Sequence, residues 1–276
     1  MLKFTKMHGL GNDFMVINAV DQTVTLTKQQ IQQWADRHTG VGFDQLLLIE
    51  KSQQYNIEFA YKVYNADGST AEQCGNGARC IARYLLDKRW IKQTQFLLEA
   101  PQAQISITEQ EDGQISVDMG EPCFDHNKIP FIPSSSPENY RYQLVLATQT
   151  VSITVLSMGN PHAVVFVPEV RSAPINTIGR EIAENSMFPQ SVNVEFVQIL
   201  SKNIMQIRVL ERGSGETLAC GSGACAAMVA GRLCQQMEEN VAVLLPGGQL
   251  NIKWQGLGHS VIMTGTATTI YHGEIA

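Results

Sequence analysis

Tyr61-Lys62-Val63-Tyr64-Asn65 leads over nine positions to Cys74-Gly75-Asn76-Gly77-Ala78, and this stretch decides the fold because it occurs twice. The second copy is Ile207-Arg208-Val209-Leu210-Glu211, which leads over nine positions to Cys220-Gly221-Ser222-Gly223-Ala224. The copies align without a gap at an offset of 146 residues. Each predicts a strand, a glycine-rich turn and a helix that starts just after the cysteine. The repeat indicates two half-molecules of one topology.

A second pair of matched segments extends the repeat towards the start of each half. Leu10-Gly11-Asn12-Asp13-Phe14 opens a strand, and Met158-Gly159-Asn160-Pro161-His162 does the same at an offset of 148 residues. A long helix predicted over 28–38 corresponds to one over 177–187. We therefore predict an α+β fold of two pseudo-symmetric domains. Each is expected to be a mainly antiparallel β-sheet or barrel wrapped around a long helix, with the active site in the cleft between them.

The predicted domains are 1–120 plus 265–276, and 121–264. The first boundary lies near Gly120-Glu121-Pro122, and a strand over 266–272 returns to the first half. A single continuous domain is the alternative, which the repeat disfavours.

Strands dominate the rest of the pattern, as short runs rich in apolar, β-branched or aromatic residues. They are predicted at 14–17, 45–49, 57–63, 95–99, 104–108, 114–119, 142–147, 151–156, 163–167, 194–199, 204–210, 240–245, 249–254 and 260–264. Thr27-Lys28-Gln29-Gln30 resembles a capping box, and Ile31, Trp34, Ala35 and His38 follow it at helical spacing.

Composition and charge exclude several classes of protein. The 276 residues carry a net charge of −6 without a basic run, so nucleic-acid binding is not expected. No apolar run reaches about 18 residues, so no membrane association is expected. The first residues lack the apolar core of a signal peptide, which predicts a cytoplasmic protein.

Six cysteines lie at positions 74, 80, 123, 220, 225 and 234. In a reducing compartment they are expected to be thiols rather than a disulfide framework. The spacings 74/80 and 220/225 match no zinc knuckle or ribbon, so no metal is expected.

Each repeated cysteine is predicted to stand at the start of a helix, where unpaired backbone N–H groups and a partial positive charge favour a thiolate. The glycines beside it allow close approach of a ligand, and such a turn suits a carboxylate. If the two turns face each other, one thiolate removes an α-proton and the other thiol protonates the opposite face. This predicts a racemase or epimerase of amino acids that needs no cofactor.

Other interpretations of the cysteines remain open. A lone cysteine is more often buried filler, and this applies to Cys80, Cys123, Cys225 and Cys234. For Cys74 and Cys220 the repeat reverses that preference. A dithiol redox protein and a non-catalytic binding module are the alternatives from other functional classes.

Several motifs together resemble the diaminopimelate epimerase family over essentially the whole chain. They are Lys6-Met7-His8-Gly9-Leu10-Gly11-Asn12-Asp13-Phe14, Asn65-Ala66-Asp67-Gly68-Ser69, the stretch from Cys74 to Cys80, Gly159-Asn160-Pro161-His162, and the stretch from Glu211 to Gly223. The resemblance implies interconversion of LL- and meso-diaminopimelate without a cofactor, in the synthesis of lysine and of peptidoglycan precursors. A proline or hydroxyproline racemase is the nearest alternative.

The resemblance also implies residue roles. Cys74 and Cys220 would be the acid/base thiols, with His162 and Glu211 adjusting their protonation. Gly75, Asn76, Gly221 and Ser222 would hold the carboxylate at the reacting carbon. The remaining substrate contacts would come from Asn12, Gln45, Asn65, Asn160, Asn193, Glu211 and Arg212, with Arg212 on the remote carboxylate.

A homodimer with Tyr271 near the contact is implied as well. From the residues alone, a surface ion pair explains Arg212 and core packing explains Tyr271.

Overall fold

A computed structural model describes residues 1–71, 74–101, 103–134 and 136–275. The chain divides into two compact units. Residues 1–118 and 264–276 form the first unit, and residues 119–263 form the second.

The elements follow one another in chain order. The first unit contains β1 (Leu2–Gly9), β2 (Asn12–Asn18), α1 (Lys28–Ala35), β3 (Gln45–Lys51), β4 (Phe59–Asn65), β5 (Thr70–Ala71), α2 (Gly75–Asp87), β6 (Gln95–Glu99), β7 (Gln104–Glu109) and β8 (Ile115–Asp118). The second contains β9 (Tyr142–Val145), β10 (Thr150–Ser157), β11 (Pro161–Phe166), a π-helical turn (Ile175–Gly179), α3 (Arg180–Ala183), β12 (Asn193–Ser201), β13 (Ile204–Glu211), β14 (Gly215–Thr217), α4 (Gly221–Leu233), β15 (Asn240–Leu245) and β16 (Gly248–Lys253). The second boundary falls within β17 (Ile262–Gly265), and β18 (Thr268–Ile275) belongs to the first unit.

Strand pairing in the first unit is mostly antiparallel. β18, β1 and β2 pair in that order, β3 pairs with β4, β4 with β5, and β6 to β8 follow as a meander. β2–β3 and β4–β6 are parallel, and a parallel pair needs a long crossover connection, which here contains a helix. α1 makes the first of these connections and α2 the second.

The second unit repeats this order. β9, β10 and β11 pair antiparallel, β12 pairs with β13, β13 with β14, and β15 with β16. β11–β12 and β13–β15 are parallel, and α4 connects the latter pair. The predicted repeat of one topology is therefore confirmed. Among the described residues no strand pair closes either series into a barrel, so of the two predicted forms a sheet is the one observed.

A helix of 13 residues is buried in each unit. Ten residues of α2 and ten of α4 are buried. α2 contacts β1, β2, β3, β8 and β18, and α4 contacts strands from β10 to β16. Small buried residues such as Ala78 and Ala224 let the strands pack closely around each helix.

The helix predicted over 28–38 is shorter than expected. Thr27 and Gln30 form the predicted capping box, and the helix ends at Ala35. The Asp36 carboxylate then accepts hydrogen bonds from the backbone N–H groups of His38 and Thr39. His38 is therefore exposed and lies outside the helix, and the prediction that the helix reaches residue 38 is wrong, because a short acidic side chain competes with the helix for backbone donors.

None of the described helices has both the length and the apolar character needed to cross a membrane.

Candidate active site

Cys74 occupies the N-cap position of α2 in the first unit. Its Sγ accepts a hydrogen bond from the backbone N–H of Gly77 at 3.4 Å, so the thiol satisfies one of the unpaired donors of the helix start. The thiol also lies 3.7 Å from Oδ1 of Asn12. The repeated motif thus brings a sulfur atom to the positive end of a buried helix, as the sequence indicated.

Asn12 and Asn76 meet beside this thiol. Asn76 Nδ2 donates to Asn12 Oδ1 at 3.3 Å, and Asn12 Nδ2 donates to the Asp44 carboxylate at 3.0 Å. Asp44 also accepts from the backbone N–H of Asp13, and Arg37 bridges the Asp13 and Asp44 carboxylates at 2.8 Å from each. The Asn12 amide is therefore held in one orientation by a charged network behind it.

Asp13 anchors that network. Lys6, which is 6% exposed, donates to Asp13 at 2.6 Å and also to the backbone carbonyl of Gly42. Burial alone would raise the pKa of Asp13, but the hydrogen bonds and charges of Arg37 and Lys6 outweigh it and hold that pKa well below its ordinary value. Sequence reasoning missed this cluster, although Lys6 and Asp13 both lie within a quoted motif.

Arg79 supports Asn76 from inside the unit. The guanidinium is fully buried, donates to Asn76 Oδ1 at 2.8 Å, and donates through Nε to the carbonyl of Thr266 at 3.2 Å. Sequence reasoning missed this residue too. An arginine in the first turns of an otherwise apolar helix was the available signal, because a charged group is rarely buried unless it is paired.

Gln45 and Asn65 lie on paired strands of the first unit. They are directly opposite each other in the β3–β4 register, and Gln45 Nε2 donates to Asn65 Oδ1 at 3.0 Å. Asn65 Nδ2 in turn donates to Ser69 Oγ at 3.0 Å. Both amides are only partly buried, which leaves them accessible to a ligand.

Cys220 starts α4 in the second unit and is 5% exposed. Its Sγ lies 3.6 Å from the Ser222 hydroxyl. Burial raises the pKa of the Cys220 thiol well above its ordinary value, and the carboxylates of Glu211 and Glu195 raise it further. The backbone N–H of Gly223 and the Ser222 hydroxyl lower the pKa of this thiol, as expected at a helix start, but burial and the two carboxylates outweigh them.

His162 is fully buried on β11, next to the parallel strand β12. Its Nδ1 lies 2.7 Å from Oε1 of Glu195, and its Nε2 lies 3.0 Å from Oδ1 of Asn160. Glu195 was not predicted as a site residue. A single glutamate inside the apolar run from Val192 to Val197 was the signal that could have found it.

Asn193 and Arg212 are joined through the backbone. Asn193 Oδ1 accepts a hydrogen bond from the backbone N–H of Arg212 at 2.7 Å. The exposed guanidinium of Arg212 makes one long hydrogen bond, 3.4 Å, to the carbonyl of Gln190, and no other side-chain hydrogen bond to the residues that the structure describes. Glu211 accepts a hydrogen bond from the Thr217 hydroxyl, which orients its carboxylate.

The predicted residues thus form one cluster in each unit. In the first, Gly75 is the first residue of α2, and Asn12, Cys74 and Asn76 lie together with the Gln45–Asn65 pair on the adjacent strands. In the second, Gly221 is the first residue of α4. The other members of this cluster are Asn160, His162, Asn193, Glu211, Arg212, Cys220 and Ser222.

Tyr271 stands apart from the first cluster. It lies on β18 opposite Lys6, and its ring packs against Phe4 with 6.0 Å between the centroids.

Solved structures share this architecture at low sequence identity. A hydroxyproline epimerase from Agrobacterium vitis superposes with a TM-score of 0.69 at 13% identity, covering 99% of this chain and 91% of that one. A methylitaconate-delta-isomerase superposes with a TM-score of 0.67 at 12% identity, covering 99% and 94%. These structural similarities establish the fold of this chain.

The duplicated fold carries a matched cysteine at the start of the buried helix in each copy. The diaminopimelate epimerase family profile matches residues 4–124 and 154–270. The diaminopimelate epimerase of Pseudomonas syringae pv. tomato is 48% identical over 275 residues, and that of Azotobacter vinelandii is 47% identical, each covering 100% of this chain and 99% of the relative. The chain belongs to the diaminopimelate epimerase family.

Proposed function

We propose that this protein interconverts LL- and meso-diaminopimelate by a two-thiol mechanism that needs no cofactor. The observation that carries the proposal is the matched placement of Cys74 and Cys220, each at the N-cap position of a buried helix in its own copy of the unit. Membership of the diaminopimelate epimerase family supplies the substrate. The reaction would serve the synthesis of lysine and of peptidoglycan precursors.

Inversion proceeds by breaking one C–H bond and forming another. One cysteine, as thiolate, takes the α-proton, and the electron pair left on carbon spreads into the adjacent carboxylate. The other cysteine, as thiol, then gives its proton to the opposite face and becomes the thiolate. The substrate loses one proton and gains another, so its composition is unchanged, and the reverse reaction exchanges the two roles.

Backbone donors at the helix starts suit the carboxylate that carries the developing charge. Gly75, Asn76, Gly221 and Ser222 occupy the first two positions of their helices, where N–H groups have no partner within the helix. Fixed dipoles aimed at a developing charge stabilise a transition state more than they stabilise the substrate. We assign these residues to the reacting carboxylate.

The other end of diaminopimelate carries a second carboxylate and a second ammonium group. The exposed Arg212 guanidinium suits this carboxylate because it forms paired hydrogen bonds. Amide side chains, which both donate and accept, suit the carboxylate and the ammonium group, and a carboxylate side chain accepts from the ammonium group. These are Asn12, Gln45, Asn65, Asn160, Asn193 and Glu211.

Solvent deuterium tests the mechanism directly. With LL-diaminopimelate in deuterium oxide, we expect the meso product to carry one deuterium at the inverted α-carbon, detected by mass spectrometry. Product without deuterium would reject the two-thiol mechanism. Proline supplied in parallel distinguishes the substrate, because turnover of proline alone would make the protein a proline racemase.

We further propose that the protein acts in the cytoplasm as a homodimer. A reducing compartment keeps both thiols available for proton transfer. Ile270 and Tyr271 expose 52% and 44% of their surface on β18, so this strand offers apolar area for a contact between copies. Sedimentation of the Tyr271→Ala variant tests the dimer, which we expect to dissociate while the wild type does not.

A further inference from the structure

At two corresponding positions the two units carry side chains of different chemistry. Phe14 lies beside Gln45 in the parallel pair β2–β3, and His162 lies beside Asn193 in the parallel pair β11–β12. Both matches have the offset of 148 residues, so Leu47 in the first unit corresponds to Glu195 in the second. An apolar pair in one unit is thus an imidazole and a carboxylate in the other.

The glycines at the helix starts confirm this correspondence in space. A Cβ added to Gly77 would meet Leu47 Cδ2 at 3.1 Å, and a Cβ added to Gly223 would meet Glu195 Oε1 at 2.9 Å. The same added Cβ on Gly223 would lie 3.3 Å from Sγ of Cys220. The Glu195 carboxylate and the Cys220 thiol therefore flank one Cα atom, and only glycine leaves room for both.

Glu195 is a buried carboxyl group paired with His162. Its side chain is fully buried and Oε1 faces His162 Nδ1 at 2.7 Å. Burial raises the pKa of Glu195, and the charge and hydrogen bond of His162 act against that rise. Oε2 has no hydrogen-bond partner among the described residues. The second ring nitrogen of His162, Nε2, faces Asn160 Oδ1 at 3.0 Å, so the ring is held between two oxygen atoms.

Two carboxylates act on the Cys220 thiol, and an imidazole pairs with one of them. The carboxylates are Glu195 on β12 and Glu211 on β13, and the imidazole is His162 on β11. The corresponding residues of the first unit are Phe14, Leu47 and Asn65, none of which is charged. The two carboxylates disfavour a thiolate at Cys220, and burial strengthens the effect because charges inside a protein are poorly screened by solvent.

We propose that Glu195 is a positioning residue that keeps the proton on Cys220 in the resting protein, both by fixing the His162 ring and by placing a buried carboxylate beside the thiol. Cys220 of the second unit is then the protonated thiol, the acid, before substrate binds. This inference rests on the proposed two-thiol function, in which it makes Cys74 the base that begins turnover. Glu195 itself touches no substrate, since its side chain is fully buried.

The test is the pH dependence of alkylation of each cysteine by iodoacetamide, followed by mass spectrometry of the Cys74 and Cys220 peptides. In Glu195→Gln we expect the Cys220 midpoint to fall by about 1 pH unit, because a neighbouring negative charge is gone. The Cys74 midpoint serves as internal reference and is expected to stay in place. Glu216→Gln, which changes a glutamate paired with Arg208 on the same unit, is the matched control and is expected to shift neither midpoint.

Turnover gives the second readout. Glu195→Gln is expected to lower kcat about tenfold with little change in KM, because the proton on the acid thiol is held less well while substrate contacts remain. An unchanged Cys220 midpoint in folded Glu195→Gln would overturn the inference. If that variant does not fold, Glu195→Asp retains the charge but withdraws it from the thiol, and it must lower the midpoint in the same direction.

The alkylation profile requires no substrate. It therefore separates this inference from the proposed function: a shifted Cys220 midpoint without epimerisation of diaminopimelate would leave the role of Glu195 standing and reject the substrate.

Discussion

Asp44 accepts a hydrogen bond of 3.0 Å from the side-chain amide of Asn12, and this contact decides which end of that amide faces Cys74. With Nδ2 bound to Asp44, the oxygen of Asn12 is left to face the thiol and Nδ2 of Asn76. A residue on the loop before β3 thus orients a group beside the reacting sulfur.

Asp44→Ala should therefore impair turnover without removing any substrate contact. We expect kcat/KM to fall about tenfold, because a misplaced polar group beside the reacting atoms costs on the order of 1.4 kcal/mol of transition-state stabilisation. Steady-state kinetics measure it. Glu50→Ala, which removes a partly exposed carboxylate paired with Lys62, is the control, and an equal loss in both variants would argue against a specific role.

Both cysteines should be essential for inversion. Either one alone should suffice to exchange the α-proton that faces it. Cys74→Ser and Cys220→Ser are both expected to lose epimerisation by at least about a thousandfold, because a serine hydroxyl is a much weaker acid/base group at neutral pH. Each variant should still exchange the α-proton that faces its remaining thiol, as NMR in deuterium oxide will show. Full epimerisation by either variant would leave the second thiol without a role.

The two helix-start glycines should respond differently to alanine. An added methyl at Gly77 meets the flexible end of Leu47, whereas at Gly223 it meets the Glu195 carboxylate. Alanine gains about 1 kcal/mol of helix propensity over glycine, which can offset the first contact. We expect Gly77→Ala to be near neutral in urea unfolding and Gly223→Ala to be destabilised by about 2 kcal/mol, because a buried ion pair must move. Equal stability of the two variants would show that Glu195 is free to shift.

Asp13 should contribute stability that depends on pH. Its folded pKa lies below its ordinary value of 3.8, so it stabilises the fold above that value and loses this contribution as pH falls below it. Asp13→Asn leaves Lys6 buried without its counter-charge and should cost about 3 kcal/mol at pH 7. The difference in free energy of unfolding between wild type and variant should shrink below about pH 4.

Urea unfolding over a pH series checks this dependence. Glu50→Gln removes one partner of a partly exposed ion pair and should cost less than about 1 kcal/mol at every pH. A cost of Asp13→Asn that stays constant down to about pH 3 would contradict the role of the ion pair.

Local pattern accounts for most of the secondary structure. The runs predicted at 95–99 and 240–245 coincide with β6 and β15, because a strand half-buried in a sheet shows its apolar residues directly. β1, β5 and β14 were not predicted. β5 and β14 contain two and three residues, too few to show a period, and β1 carries Lys6 at a buried position where the pattern calls for an apolar residue.

By itself the sequence determined the duplicated topology, the placement of both cysteines at helix starts and the family, because repeats, glycine spacing and motifs are properties of neighbours along the chain. Only the tertiary structure decided that Glu195 pairs with His162 and that Asp44 orients Asn12, since these contacts join residues more than thirty positions apart. It also decided the direction in which the pKa of Cys220 is shifted. The sequence shows the helix dipole, but the opposing effects of burial and of two carboxylates exist only once strands β12 and β13 are packed around the helix.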